Sequence, residues 1–293
     1  MISSVLCFSL AGQILAAAPS VDTTTAAQTF GGSQASFNLT ESASTILYVY
    51  GSITDLDGCE DVAVYGTVTG KFYRSNLGTT DNCTNDNNDC YPLTNANCTK
   101  TGCSGPGDNT FNYECTADIQ YYADSTTAGI QSTTDWTAKV KATDQATNNS
   151  TNTDTIEMNT LLGVDVPTNM SYGTINLDTV GPEQTYAITN SGNSGIDVRL
   201  KVDGDMVCAG QGSSNIPAGN THYSGTTGFN WADGVALTTA YVDYELNLAP
   251  RVNDAVAAIQ NMFFKLKLPV AGLRGSCTNT LTTIAVADTE NGW

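Results

Sequence analysis

The residues whose types and spacing could do chemistry are first of all cysteines. Cys83, Cys90, Cys98 and Cys103 crowd one polar run, "DNCTNDNNDCYPLTNANCTKTGC" at 81–103, with Cys59 before it and Cys115 after it. Three chemistries use such a cluster: a zinc cage, a dithiol redox centre, or disulfides. Zinc sites bring cysteines in pairs two to four residues apart, and redox sites use Cys-x-x-Cys. Here the spacings are seven, eight and five, no Cys-x-x-Cys occurs, and His222 is the only histidine. Disulfides remain, and they persist in oxidising compartments. The run therefore points outside the cell or to its surface. With Cys7 set aside, eight cysteines are left, an even number. Spacing does not say how Cys59, Cys83, Cys90, Cys98, Cys103 and Cys115 pair. Cys208 and Cys277 stand apart and are expected to pair with each other. Closing so long a loop is worth about 4 kcal/mol in the chain-entropy model. The run 81–103 is expected to be a surface loop, inserted between strands and closed by disulfides.

Hard oxygen ligands gather at two places. "DLDGCED" at 55–61 supplies Asp55, Asp57, Glu60 and Asp61, of which Asp55, Asp57 and Asp61 are candidate calcium ligands. The preferred reading of that stretch is a plain β-turn, because Asp-Gly is a strong hairpin signal by itself. Asn85, Asn87 and Asp89 alternate like the first ligands of an EF-hand loop. Cys90, however, holds the place of its glycine, and no glutamate follows at the twelfth position. Beyond calcium no cofactor is expected. His222 sits in a polar turn, "AGNTHYSGT", and no Gly-x-Ser-x-Gly elbow accompanies it. The acids single out no glycosidase pair. Hardly a helix exists to carry a phosphate loop. Trp136 reads as core, Trp231 in "GFNWADG" as an exposed aromatic able to stack a sugar, and Trp293 is terminal. The expectation is a protein without catalysis.

Eleven basic residues stand against 29 acidic ones, a net charge of −18. Nucleic acid needs a basic patch, and anionic lipid a basic cluster, so neither is an expected partner. Six Asn-x-Ser/Thr sequons occur, at Asn38, Asn82, Asn97, Asn148, Asn149 and Asn169. In a chain this rich in Ser, Thr and Asn they permit glycosylation without demonstrating it.

The elements that must position these residues are strands. "TILYVYGSITD" (45–55), "DVAVYGTVTGKFYRS" (61–75), "TFNYECTADIQYYAD" (110–124) and "DWTAKVKATD" (135–144) alternate with period two. In the last, Trp136, Ala138, Val140 and Ala142 share a face opposite Lys139 and Lys141. "TYAITNSGNSGIDVRLKVDGDMVC" (185–208) reads as two strands around a Gly-Asn turn, and "AYVDYELNL", "NMFFKLKLP" and "TNTLTTIAVAD" follow. Only "VNDAVAAIQNM" (252–262) reads as a short helix. Many short strands with Gly, Asn and Pro turns predict an all-β chain of two antiparallel β-sandwiches, Ig-like or jelly-roll-like. The first spans 31–158 with the cysteine-rich loop, the second 159–293, and an apolar segment at 1–30 precedes them.

"YVYGSITDLDGCEDVAVYGTV" resembles the opening strands of bacterial and archaeal Ig-like repeats. "WTAKVKATDQATNNS" resembles their later strand, which ends in Val-x-Ala-x-Asp-x-Ala-Gly-Asn; here Thr147 stands where the glycine is usual. "YAITNSGNSGIDVRLKV" is similar to β-sandwich domains of surface and filament proteins, the biofilm-fibre and bundling-pilus group. The resemblance implies an extracellular structural role.

Residues 2–18 are apolar or small and carry no charge. They read either as a secretory signal ending at Ala18-Pro19-Ser20 or as a donor strand within residues 1–35. The segment is short for a membrane span, and none is expected in the mature protein. Donated head to tail, such a strand builds an open homopolymer. The expected function is thus a subunit of an extracellular filament or surface layer. The alternative is a cell-surface adhesin or carbohydrate-binding module whose partners are glycans or other cell surfaces.

Overall fold

The computed structural model describes residues 16–77, 83–85, 87–105, 107–210, 212 and 214–291. Cys7, Asn82, Trp293 and residues 1–15 of the apolar segment lie outside the described residues. The chain is all-β. In its first half the strands are β1 (Ser20–Val21), β2 (Thr25–Ala27), β3 (Ser36–Phe37), β4 (Thr45–Thr54), β5 (Thr67–Arg74), β6 (Cys90–Leu93), β7 (Cys98–Thr101), β8 (Thr110–Ile119), β9 (Trp136–Thr143) and β10 (Asn149–Met158). One sheet runs β1–β4–β8–β7, with β2 also on β4; the other runs β3–β10–β9–β5–β6. β3 lies parallel to β10. Period-two alternation drives the layering: in β9, Trp136, Ala138, Val140 and Ala142 are all fully buried, while Lys141 is exposed. Leu47, Val49 and Ile53 of β4 share one core with Phe72 of β5 and Trp136 of β9. Phe72 and Trp136 stack at 4.8 Å. Each such burial contributes about 1.5–3 kcal/mol.

The second half holds β11 (Val164–Asp165), β12 (Gln184–Asn190), β13 (Ile196–Val202), β14 (Val207–Cys208), β15 (Thr221–Ser224), β16 (Val235–Ala236), β17 (Val242–Leu248), β18 (Ile259–Leu266), β19 (Cys277–Thr278) and β20 (Leu281–Ala287). Its sheets run β11–β12–β18–β15–β16 and β17–β13–β20, with β14–β19 as a separate ribbon. A second core joins Tyr186 and Ile188 of β12 with Val198 and Leu200 of β13 and Met262 and Phe264 of β18.

Several expectations are corrected. The apolar segment drawn at 1–30 is not separate throughout: β1 and β2 pair with β4 and bury Val21, Ala26 and Ala27. The run 81–103 is not a plain inserted loop. It builds β6 on one sheet and β7 on the other, and buries Tyr91 and Leu93 in the core. The Asp-Gly stretch is no hairpin, because β4 and β5 belong to different sheets. Residues Cys59–Ala63 there form a short helix, α1, entered through Gly58 at φ 112°. Residues 252–258 are irregular, and Ile259 onward is strand, because β12 offers a ladder from Thr189 to Gln184. Pairing with a neighbouring strand overrides local helical spacing.

A buried side chain is central to the contact between the two halves. Asn193, 2% exposed, donates from Nδ2 to Ala123 O (2.8 Å) and Asn159 O (3.1 Å), while its Oδ1 accepts from Leu161 N (2.7 Å). Gly192 beside it has no room for a Cβ, which would sit 2.1 Å from Leu161 O. Tyr122 OH donates to Asp254 Oδ1 at 2.9 Å, and the Arg251 guanidinium lies over the Tyr122 ring. β4 starts at this junction, where Glu41 meets Ser191, and runs about 30 Å away from it. Asp55, α1 and the β9–β10 turn thus lie at the far pole of the first half. In the second half β12 and β13 meet at the junction, so Gln184, Leu266 and Leu281 lie toward the opposite pole.

Two predictions follow from these contacts. Asn193→Ala orphans buried backbone groups of both halves and is expected to cost about 3 kcal/mol, read as a lower denaturation midpoint. In the β9–β10 turn, Thr147 takes φ 73° and its N–H reaches Asp144 O. A left-handed residue with a Cβ is strained, so Thr147→Gly is expected to stabilise by about 0.5–1 kcal/mol, measured as a rise in melting temperature.

Candidate functional site

Three places gather candidate functional side chains. The first is the disulfide framework. Cys59 pairs with Cys103, Cys83 with Cys90, Cys98 with Cys115 and Cys208 with Cys277. With these sulfurs bonded to one another, none is a thiolate for zinc. Cys98 and Cys115 face each other directly across β7 and β8, and Cys208 and Cys277 do so across β14 and β19. Cys59–Cys103 ties α1 to the loop after β7. Cys83–Cys90 closes the chain leading into β6. Asn87 and Asn88, part of the EF-hand-like run, serve the junction instead: Asn87 bridges to Asn253, and Asn88 Nδ2 donates to Asp124 Oδ1 at 2.7 Å.

Beside them lies a buried ion pair. Arg74 Nη1 contacts Asp124 Oδ2, and both residues are less than a tenth exposed. Trp136 Nε1 donates to the Asp124 carbonyl at 2.8 Å. Burial pushes the Asp124 carboxyl up to about 6, against the pull of Arg74 and of the Asn88 amide.

The second place is the far pole of the first half. β4 ends at Thr54, and Asp55 N donates to Asn109 O (2.7 Å). Asp57 N turns back onto Asp55 Oδ1 at 3.0 Å, and Asp61 follows in α1. The structure thus brings Asp55, Asp57 and Asp61 together, with carboxylate oxygens within 4.8 Å of one another. Burial, and then the charges of Asp61, Asp57 and Asp144, raise the Asp55 carboxyl above its ordinary value, while the Asp57 N–H pulls it down. Asp144 closes the β9–β10 turn by accepting from both Asn148 N and Asn148 Nδ2. Its proximity was hidden in the sequence, although it is the Asp of the Val-x-Ala-x-Asp stretch. Ala17 N reaches Asp57 Oδ2 and Ala16 O accepts from Asn148 Nδ2, so residues 16 and 17 are held at this pole.

The third place is a groove of about 940 Å³ at the opposite pole, in the second half. Met170, Tyr172, Ile175, Tyr186, Met206 and Leu266 line its walls, and the Cys208–Cys277 ribbon lies at its rim. The Tyr172 hydroxyl is buried there without a partner, and burial pushes its pKa up. No motif in the sequence marks this groove, because its walls come from distant strands and one long loop.

Other candidate residues are placed as follows. Asn38, Asn97, Asn149 and Asn169 are exposed. Asn148 is half-buried and its Nδ2, the atom a glycan would take, is already shared between Asp144 and Ala16. Trp136 is core. Trp231 is not the open platform expected: its indole N–H donates to Asn220 O, its ring stacks on His222 at 4.0 Å, and the Lys267 ammonium lies 5.5 Å from it. His222 Nε2 meets Gly219 O at 3.1 Å.

No family model matches the chain, and no curated protein matches it. Among solved structures it is similar to the secreted serine protease VesC from Vibrio cholerae, at 7% identity over 86% of this chain, with a TM-score of 0.20. The chain spans about half the length of that structure, 49%. A likeness at that score carries no argument about fold or activity.

The Asp124 shift gives a pH dependence with a definite sign. A carboxyl raised from about 4 to about 6 on folding keeps its proton in the folded state while the unfolded chain loses it. Its contribution is fully present below about 4 and is lost as pH rises through about 6. Unfolding free energy is expected to fall across that window, by up to about 3 kcal/mol from this group. Asp124→Asn should flatten the slope, as followed by denaturant titration at a series of pH values.

Proposed function

We propose that this chain is a structural subunit of an extracellular filament, polymerising head to tail by strand donation. The donor is the apolar stretch before residue 16, and the acceptor is the groove and open edge in the second half of the next copy. The observation that carries the reading is polar placement. Residues 16 and 17 are held at the far pole of the first half by Asp57 and Asn148, and the groove, with polar and apolar walls, lies at the opposite pole of the second half. A donor at one end and an acceptor at the other make a heterologous contact, which propagates as a fibre. β20, "LTTIAVA", supports the acceptor role. It is the outer strand of its sheet, is half-exposed along its whole length and carries no charge. An uncharged open edge is a template for an added strand.

We further infer that each half is a sandwich domain, and that the first is Ig-like. Support comes from its sheet orders, which follow the four-strand and five-strand paths of that fold. Four disulfides support an oxidising, extracellular setting. No helix among the described residues is long and apolar enough to cross a membrane. Asn38, Asn97, Asn149 and Asn169 are the exposed sites at which glycans would attach.

The test is deletion of residues 1–15 from the secreted protein. Full-length material is expected to form fibres in negative-stain microscopy, and the truncated chain to remain a folded monomer with its disulfides intact. Fibres from the truncated chain would sink strand donation. Native material that begins after residue 15, stays monomeric and binds glycans would favour the adhesin.

A further inference from the structure

The acidic cluster at the far pole of the first half has a feature that surface carboxylates lack. Asp55 is wholly buried, 0% exposed. Its Oδ1 is taken by the Asp57 N–H, and its Oδ2 is buried without a hydrogen-bond partner. A buried carboxylate oxygen with neither donor nor cation is a costly arrangement. The other two acids make it more so. One carboxylate oxygen from each of Asp55, Asp57 and Asp61 lies within 4.8 Å of the others. Asp144 adds its charge to Asp55 from the β9–β10 turn. Among the described residues, no Lys, Arg or His forms an ion pair with any of the three.

A single cation answers all of these observations. Oxygens bound to one calcium ion at about 2.3–2.6 Å lie no more than about 5 Å apart. We propose that Asp55, Asp57 and Asp61 bind calcium, with Asp55 Oδ2 as the buried ligand and the exposed Asp57 leaving room for water. Zinc prefers nitrogen and sulfur ligands, and the nearby Cys59 sulfur is bonded to Cys103. Magnesium keeps most of its waters and takes one or two carboxylates, so a set of three fits calcium better. The ion neutralises a cluster that α1 and the end of β4 otherwise hold together against repulsion. Because Asp57 also holds Ala17 N, the ion fixes the point where the chain enters the first half.

The experiment uses the full chain, stripped with EDTA and titrated with calcium chloride by calorimetry. Binding is expected with a dissociation constant on the order of 0.1–1 mM, the range of extracellular calcium modules. Several millimolar calcium should raise the melting temperature by about 3–6 °C, and magnesium at equal concentration by clearly less. The double variant Asp57→Asn with Asp61→Asn removes charge from partly exposed positions. In EDTA it should melt no lower than the native protein, and it should lose the calcium response. Asp57→Asn alone, the mildest change, should weaken binding by about tenfold or more. Absence of both heat and thermal shift in the native protein would overturn the proposal. So would a full response retained by the double variant, or an equal response to magnesium.

Discussion

The constraint on which the rest of the structure depends is satisfaction of backbone groups where the two halves meet. A connection between two β layers exposes N–H and C=O groups that neither sheet can pair. Buried, each would cost about 1–3 kcal/mol. The amide of Asn193 closes three of them at once, two from the segment between β10 and β11 and one from the first half. Asn190, fully buried nearby, does the same within the second half for Ser194 O, Leu248 O and Gly192 N. Small residues between them let backbones approach. The chain crosses here from the sheets of the first half to those of the second.

From that junction the strands of each half run outward to the two ends. Each half puts irregular segments at the pole away from its neighbour: the acid cluster on one, the groove on the other. Disulfides brace both ends, Cys59–Cys103 beside the acids and Cys208–Cys277 beside the groove. Cys83–Cys90 and the Arg74–Asp124 pair stiffen the junction side instead. A net charge of −18 over a chain poor in lysine leaves the acid cluster with little local counter-charge.

The sequence by itself determined much of the local structure. Period-two alternation marked β4, β8, β9 and β18, because a strand with one buried face must place every second side chain inward. The absence of Cys-x-x-Cys, and the even number of cysteines left once Cys7 is set aside, pointed to disulfides, since ligand spacing is a local property. Asp55, Asp57 and Asp61 could be named from one heptapeptide, as they lie within a few residues of each other.

What only the tertiary structure decided is every relation between distant segments. Partners of β4 and β5, the paths of β6 and β7, and the strand in place of a helix at Ile259 depend on which edges are open when the sheets assemble. A ladder gained between β12 and β18, distant in sequence, outweighs a local propensity worth a few tenths of a kcal/mol. The nearness of Asp144 to Asp55, the orphaned Oδ2, the occupied faces of Trp231 and the groove around Tyr172 arise the same way. Burial and proximity belong to the packed chain, and no window of residues contains them.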